Sequence, residues 1–168
     1  MASLLQRVWW RLTLGAGWDT VRRTVRHASA GELHYEGKRS RPGGPVHGLW
    51  RVARPDVVRP ITIGFPTLGE EPTPFYLDRL ASMLADPDAL FERFRPAIAP
   101  VYLEWIETPL PADWRSVFRL DGLDLPPAPE DVEADGALWQ VTWWCSPAEH
   151  WFVVHLDGDA IIDVEVAG

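Results

Sequence analysis

The sequence predicts an α+β fold with an antiparallel sheet, in which strands stand before and after a helical middle. Apolar and polar residues alternate near both ends of the chain, the middle keeps helical spacing, and Gly- and Pro-rich loops separate the segments. The chain has 168 residues, 46% of them hydrophobic and 24% charged, which suits one domain with a substantial core. We therefore predict a single α+β domain over residues 31–168, preceded by a basic helical arm over residues 1–30.

The arm is predicted to hold two short amphipathic helices. The first covers SLLQRVWWRL, whose apolar residues recur at helical spacing. The second begins at Asp19 as its N-cap and buries Val21 and Val25, so that its arginines face water.

After the arm, the sequence predicts three strands first and then a helical middle. The middle begins a helix at Thr73 and Pro74, and a second start signal stands at Asp86 and Pro87. Prolines 96 and 100 lack a backbone N–H and clash with the preceding turn, so we expect the second helical stretch to divide into two pieces. The three strand candidates before this middle are ELHYEG, GLWRVA and PITIGF.

The last thirty residues are predicted to form a three-stranded meander of LWQVTWWC, HWFVVHL and AIIDVEV. A three-residue turn at 157–159 would set Val154 opposite Ile162. It would also set Phe152 opposite Val164, which keeps one face apolar.

Alternation then divides the meander into two faces. Trp139, Val141 and Trp143 join the apolar inner face, because they share its parity. The outer face receives Trp144, Trp151, Val153, His155, Asp163 and Glu165.

The order of these elements resembles a known group of proteins. GELHYEG, VYLEWIE, WQVTWW and LDGDAIIDVEVAG, taken in that order, resemble small uncharacterised bacterial domains, some of them grouped with immunity proteins of toxin systems. The resemblance covers about residues 31–168 and rests on element order. It implies an antiparallel α+β body and a protein partner, and it carries over no catalytic residue.

Charge is distributed unevenly along the chain. Residues 1–60 hold eleven Arg or Lys and four acids, whereas residues 61–168 hold five and twenty. Such asymmetry is typical of a basic arm that binds nucleic acid or anionic lipid, or of two halves that face each other in the fold. We favour the second interpretation, because strand-like apolar positions interrupt the basic residues.

The composition of the chain also indicates its cellular compartment. Fifteen arginines against one lysine indicate a GC-rich, bacterial genome, and a single cysteine suits a reducing cytoplasm. Arg7 and Arg11 interrupt the N-terminal apolar run, which argues against a signal peptide. No run is long enough for a transmembrane helix. We predict a cytoplasmic protein.

Two kinds of site are suggested by Cys145, His150 and His155: a metal site, or a thiol nucleophile. Strand alternation places Cys145 and His155 on different faces, and neither CxxC nor HExxH is present, so we assign no metal. Cys145 and His150 flank a tight turn, and a Cys-dependent hydrolase is the enzyme alternative. We favour a buried, inert thiol and assign no catalytic residue and no cofactor.

Acidic residues cluster in DGLDLPPAPEDVEADG, residues 121–136. A solvated loop is one interpretation of this segment. The other is a contact with the cationic groove of a nucleic-acid enzyme, to which Glu130, Asp131 and Glu133 would contribute.

The sequence therefore predicts a non-enzymatic protein-binding domain of the immunity or inhibitor type. Its candidate anchors are Trp144 and Trp151 with His155, Asp163 and Glu165 beside them, and His155, diagonal to Asp163, would make binding depend on pH. Packing of the helical arm on the same face is the alternative. The acidic body argues against nucleic acid, and residues 4–12 leave attachment to a membrane surface open. The pattern predicts no oligomeric state.

Overall fold

The computed structural model describes residues 19–39, 46–53, 59–65, 71–127 and 137–168. Within these ranges eight strands form one sheet, and their order in the sheet follows the chain. The strands are β1 (Asp19–His27), β2 (Gly31–Arg39), β3 (Val46–Val52), β4 (Ile61–Gly64), β5 (Phe118–Asp124), β6 (Leu138–Cys145), β7 (His150–Asp157) and β8 (Ala160–Ala167). Neighbours are antiparallel except β4 and β5, which are parallel. The predicted α+β class with an antiparallel sheet is confirmed.

The prediction of a helix that begins at Asp19 is wrong, because residues 19–27 form strand β1. Residues 19–27 pair with β2 along their whole length, from Asp19 opposite Arg39 to His27 opposite Gly31. The segment TVRRTVRH also alternates, and its β-branched residues suit a pleated surface better than a helix. The first predicted helix, and the contact surface proposed for residues 4–12, lie outside the described residues.

Two helices connect β4 to β5, as the start signals predict. Helix α1 covers Pro74–Ala85 and helix α2 covers Pro87–Ile106, each with a proline in its first turn. Asp86 separates them, and its carboxylate accepts a hydrogen bond from the backbone N–H of Ala89 at 2.9 Å. This contact caps α2 and fixes the corner between the helices.

The expectation that prolines divide α2 is wrong. The helix runs unbroken for 20 residues through Pro96 and Pro100. Both prolines are exposed, so the carbonyl groups that they leave without an intrahelical donor lie on the solvent side of the helix. The buried face, which carries Phe91, Phe94 and Ile98, packs on the sheet without interruption.

The turn between β7 and β8 is also shorter than predicted. Asp157 pairs with Ala160 across a two-residue turn, and the register then shifts between His155 and Leu156. The extra residue of this β-bulge restores the parity that the short turn would have reversed. Val154 therefore lies opposite Val164, not Ile162, and Phe152 lies opposite Val166, not Val164.

Aromatic rings fill the core between α2 and the second half of the sheet. Phe91 stacks on Trp114 with ring centroids 4.5 Å apart, and it meets Trp143 edge-on at 5.0 Å. Phe118 lies 5.5 Å from Phe91 and 5.1 Å from Phe152. Trp114 belongs to a short 3-10 turn, Trp114–Ser116, that leads into β5. This packing leaves one face of the sheet for the core and the other for further contacts.

Candidate functional site

The second half of the sheet has two unlike faces, as alternation predicts. Trp139, Val141 and Trp143 of β6 and Phe152 and Val154 of β7 are buried in the core to which both helices contribute. Residues of the opposite parity form the other side, which we call the outer face. On β6 to β8 it carries Trp144, Trp151, Val153, His155, Asp163 and Glu165. The predicted sorting of these side chains is confirmed, whereas the predicted place of Ile162 on the apolar face is wrong, since this side chain is 57% exposed.

Two tryptophans form the centre of this surface. Trp144 and Trp151 are directly opposite each other on β6 and β7, with ring centroids 5.0 Å apart at 69°. Both side chains are half-buried. The guanidinium of Arg119 lies 5.1 Å from the Trp144 ring centroid, within the range of a cation–π contact. The Trp151 indole N–H donates to a carboxylate oxygen of Asp121 at 2.8 Å.

Strand β5 supplies the groups that hold these indoles. Its register with β6 shifts between Leu120 and Gly122, which leaves Asp121 at a bulge. A bulge redirects a side chain, and here the carboxylate reaches Trp151 and also lies 3.4 Å from Arg119. The sequence analysis missed both Arg119 and Asp121. The apolar positions of FRLDGLDL change parity at Gly122, from Phe118 and Leu120 before it to Leu123 and Leu125 after it, and this phase change is the signal that indicates a bulge.

A polar strip lies beside the tryptophans. His155 is opposite Asp163 in the register, yet its Nε2 contacts a carboxylate oxygen of Glu165 at 3.2 Å. The predicted diagonal relation of His155 to Asp163 is therefore wrong, because the shorter turn and the bulge in β8 together move each partner by two residues. Asp163 is exposed. Glu165 lies diagonal to Trp151 across β7 and β8, and Asp163 lies one same-face position further along β8.

The side chains at the middle of the outer face are small and uncharged. Thr142 and Val153 are cross-strand partners at the middle of the outer face, 7% and 2% exposed. Their same-face neighbours along the strands are the two tryptophans, which are more exposed than they are. The outer face therefore presents a ridge of two indoles with acids at its side.

Charge follows the order of the strands. The basic half of the chain forms β1 to β3 and the acidic half forms β5 to β8, so the two halves lie side by side. His27 of β1 also contacts Asp78 of α1 at 3.2 Å, and the interpretation that the two halves as a whole face each other stays a prediction. On the first half, Arg22 contacts Glu36 at 3.2 Å and Arg26 contacts Glu32 at 2.6 Å. The tryptophan ridge stands on the acidic half.

The acidic segment is described only in part. Residues 121–127 belong to β5 and the chain just after it. Glu130, Asp131 and Glu133, the predicted contacts in this segment, lie outside the described residues.

Cys145 and His150 are brought together, but in a buried setting. They are directly opposite each other at the end of β6 and β7, on the side of the helices. The thiol is 0% exposed, and burial raises its pKa. The His150 Nδ1–H donates to the carbonyl oxygen of Ala148 at 2.6 Å, and the Trp105 ring lies 5.3 Å away. A thiol that is shielded and kept protonated is a poor nucleophile.

A metal site can be assessed for the described part of the chain. No group of three or more His, Cys, Asp or Glu side chains there is arranged to hold a metal ion. Cys145 and His155 point to opposite faces of the sheet, in agreement with their parity in the sequence. Neither described helix is long and apolar enough to cross a bilayer.

Comparison with protein-family models, curated proteins and solved structures finds no match to this chain. The resemblance to immunity-type domains therefore stays a prediction, and the outer face is the feature of the molecule from which a function is inferred.

Proposed function

We propose that this chain is a non-enzymatic protein-binding domain of the bacterial cytoplasm, of the immunity or inhibitor type. The observation that carries the proposal is the pair of half-buried indoles, Trp144 and Trp151, on the acidic half of the outer face. Tryptophan is enriched among the residues that dominate binding energy at protein interfaces. Asp121 and Arg119 hold the pair from one side, so the rings lose little freedom on binding.

The proposed partner presents a cationic surface. Glu165 is diagonal to Trp151 on the outer face and Asp163 follows it along β8. Residues 61–168 hold twenty acids against five basic residues. Opposite charge on the partner would accelerate association and make it sensitive to salt. A toxin or another enzyme with a groove for nucleic acid has such a surface. Glu130, Asp131 and Glu133 are further proposed contacts, carried over from the sequence alone.

An arginine-rich peptide is a defined probe of this surface, and fluorescence anisotropy measures its binding. We expect the peptide to bind the protein at low salt, while a glutamate-rich peptide of equal length does not. Replacing one anchor, by Trp144→Ala or Trp151→Ala, should weaken binding by about tenfold or more, the usual effect at an interface hot spot.

Matched charge variants decide whether the acidic half is the binding surface. Asp163→Asn with Glu165→Gln removes two acids beside the indoles and should weaken binding. Glu32→Gln with Glu36→Gln makes the same charge change on the outer face of β2 and should leave affinity nearly unchanged. Equal weakening by both double variants, or unchanged binding by the tryptophan variants, would contradict the proposal.

The Cys-dependent hydrolase has no comparable support. Its nucleophile would be the buried Cys145 thiol, whose pKa is raised by that burial. Native-state alkylation with iodoacetamide near neutral pH separates the two functions. We expect the thiol to react far more slowly than in the urea-unfolded chain, whereas rapid native alkylation would favour catalysis. Attachment to a membrane through residues 4–12 concerns residues outside the described ranges and stays a sequence prediction.

A further inference from the structure

Strands β1 and β8 are the two edges of the sheet. Within the described residues, β1 pairs only with β2 and β8 pairs only with β7. The free side of an edge strand carries backbone N–H and C=O groups that a further strand can pair with, and natural proteins usually guard such edges with charge. The side chains of the two edges decide which strand each can accept.

The two edges carry opposite charge. Strand β1 contains three arginines and one aspartate, whereas β8 contains one aspartate, one glutamate and no basic residue. On the outer face, Arg22 and Arg26 have side chains that are 78% and 83% exposed. Asp163 and Glu165 are exposed on the same face. Pairing of β1 with β1, or of β8 with β8, would bring like charges together, whereas pairing of β1 with β8 brings opposite charges together.

The contacts of the arginines leave donors for a second carboxylate. Arg22 and Arg26 each donate to a glutamate of β2 through one nitrogen, at 3.2 and 2.6 Å. A guanidinium has five N–H donors, so each arginine can also bind an acid on an added strand. The inner face matches as well, since Val25 of β1 and Val166 of β8 are both partly buried against the core.

Strand direction decides how the edges can meet. Of the seven neighbouring pairs, six are antiparallel and one, β4 with β5, is parallel. Six reversals are an even number, so β1 and β8 run in the same direction. A second copy that continues the sheet with its helices on the same side therefore sets its β1 parallel to β8. In this orientation the arginines of β1 and the acids of β8 lie on one face.

One parallel register uses the regular part of β8, residues 163–167, beyond its bulge. With Asp163 beside Arg22 of the second copy, Glu165 lies diagonal to both Arg22 and Arg26. Such neighbours are roughly 7 Å apart along the strand, within reach of long side chains. Val166 then lies beside Val25 on the inner face. The register pairs opposite charges on one face and apolar groups on the other.

We propose that β1 of one copy of this chain adds in parallel to β8 of the next, so that the sheet continues head to tail from copy to copy. The contact joins two different surfaces, which leaves one β1 and one β8 open at the ends of every assembly. Its size therefore grows with protein concentration. This self-association goes beyond the protein-binding function and requires no other partner.

Sedimentation velocity of the full chain over a concentration series tests the proposal. We expect the weight-average mass to rise with concentration past that of a dimer at about 50 mM salt, and to fall toward the monomer at about 1 M salt, where the charges are screened. Arg22→Glu with Arg26→Glu, or Asp163→Lys with Glu165→Lys, sets like charges across the contact. Each double variant should weaken association by about tenfold or more.

A charge swap and a matched control make the result specific. An equimolar mixture of the two double variants should associate again, because each edge then meets an edge of opposite charge. Lys38→Glu with Arg51→Glu makes the same change of net charge as the β1 variant, on the outer face of β2 and β3, and should associate as the wild type does. Trp151→Ala, which removes an anchor of the tryptophan ridge, should also leave self-association unchanged.

Hydrogen exchange of the wild type reports on the strands themselves. Amides of residues 22–26 and 163–167 should exchange more slowly as concentration rises at low salt, while those of β3 keep their rates. The proposal is overturned by a mass that stays monomeric or stops at a dimer, by equal weakening in the Lys38 and Arg51 control, or by a mixture of the double variants that fails to associate. Association without added protection at the two edges would overturn it as well.

Discussion

The thiol of Cys145 shows how one residue's surroundings decide its chemistry. Residue type and spacing allow a Cys–His pair, and the two residues are indeed opposite each other on β6 and β7. Burial nevertheless removes access to the sulfur and raises its pKa. Alternation in the sequence predicts that Cys145 faces the core, but it does not reveal that His150 is held by the carbonyl of Ala148.

This raised pKa predicts a pH dependence of stability. The folded state keeps the thiol proton at pH values where the unfolded chain releases it, near its ordinary pKa of 9.0. The stabilising contribution is therefore complete below that pH and is lost above it, at up to about 1.4 kcal/mol per pH unit.

Urea unfolding from about pH 8 to about pH 10 measures this effect, and the tyrosines that begin to titrate in this range are common to both proteins compared. The free energy of unfolding of wild type should fall with pH more steeply than that of Cys145→Ala. Parallel curves for the two proteins would show that the thiol has the same pKa in both states.

Phe91 is predicted to be the residue on which the core depends most. Its ring contacts Trp114, Trp143 and Phe118, and it is 0% exposed. Phe91→Ala should lower the free energy of unfolding by about 3–5 kcal/mol, because it leaves a cavity that rigid rings cannot fill. Phe75→Ala is the matched control: this ring is 40% exposed, and its loss should cost less than about 1 kcal/mol. Similar losses for the two variants would contradict this description of the core.

Among the elements, helix α2 shows most clearly how tertiary packing overrides a local signal. Two prolines indicate a break, but a helix whose prolines both face water keeps its buried face intact. Strand β1 is the converse case. Its apolar residues fit a helix by spacing and a strand by alternation, and pairing with β2 decides for the strand.

The end of α2 offers a prediction of its own. Glu107 adopts a left-handed backbone conformation, with φ of 58°, and its N–H donates to the carbonyl of Leu103. Glycine adopts this conformation without strain, so Glu107→Gly should raise the free energy of unfolding by about 1 kcal/mol. Glu104→Gly, inside the same helix and equally exposed to water, should lower it by about 1 kcal/mol. Thermal and urea unfolding of both variants check the signs, and a loss of stability in Glu107→Gly would contradict the capping role.

The bulges explain why the sequence predicts correctly which face of the sheet each residue occupies, but not which residue lies opposite it. A turn of two residues and one extra residue in β8 give the same sorting of faces as a turn of three residues. Alternation indicates only which face of the sheet a residue occupies. It therefore predicts the buried residues of β6 and β7 but not the cross-strand partner of each residue. For the same reason it finds Trp144 and Trp151 but misses Asp121, which reaches them from a bulge in β5.

At the scale of the whole molecule, the strand order converts the uneven distribution of charge along the chain into an uneven distribution of charge across the sheet. Because every strand lies beside its neighbours in sequence, basic β1 to β3 and acidic β5 to β8 occupy opposite sides. The proposed binding surface follows this division, because the tryptophan ridge lies among the acidic strands on the outer face.

The central claim is that the tryptophan ridge of the outer face is the docking surface. Hydroxyl-radical footprinting with and without the arginine-rich peptide tests it most directly, because oxidation of each indole reports its exposure. Trp105, which is 48% exposed on α2, serves as the internal reference on the other side of the molecule. We predict that saturating peptide lowers the oxidation of Trp144 and Trp151 and leaves Trp105 unchanged. Protection of Trp105 with no change at Trp144 and Trp151 would contradict the claim.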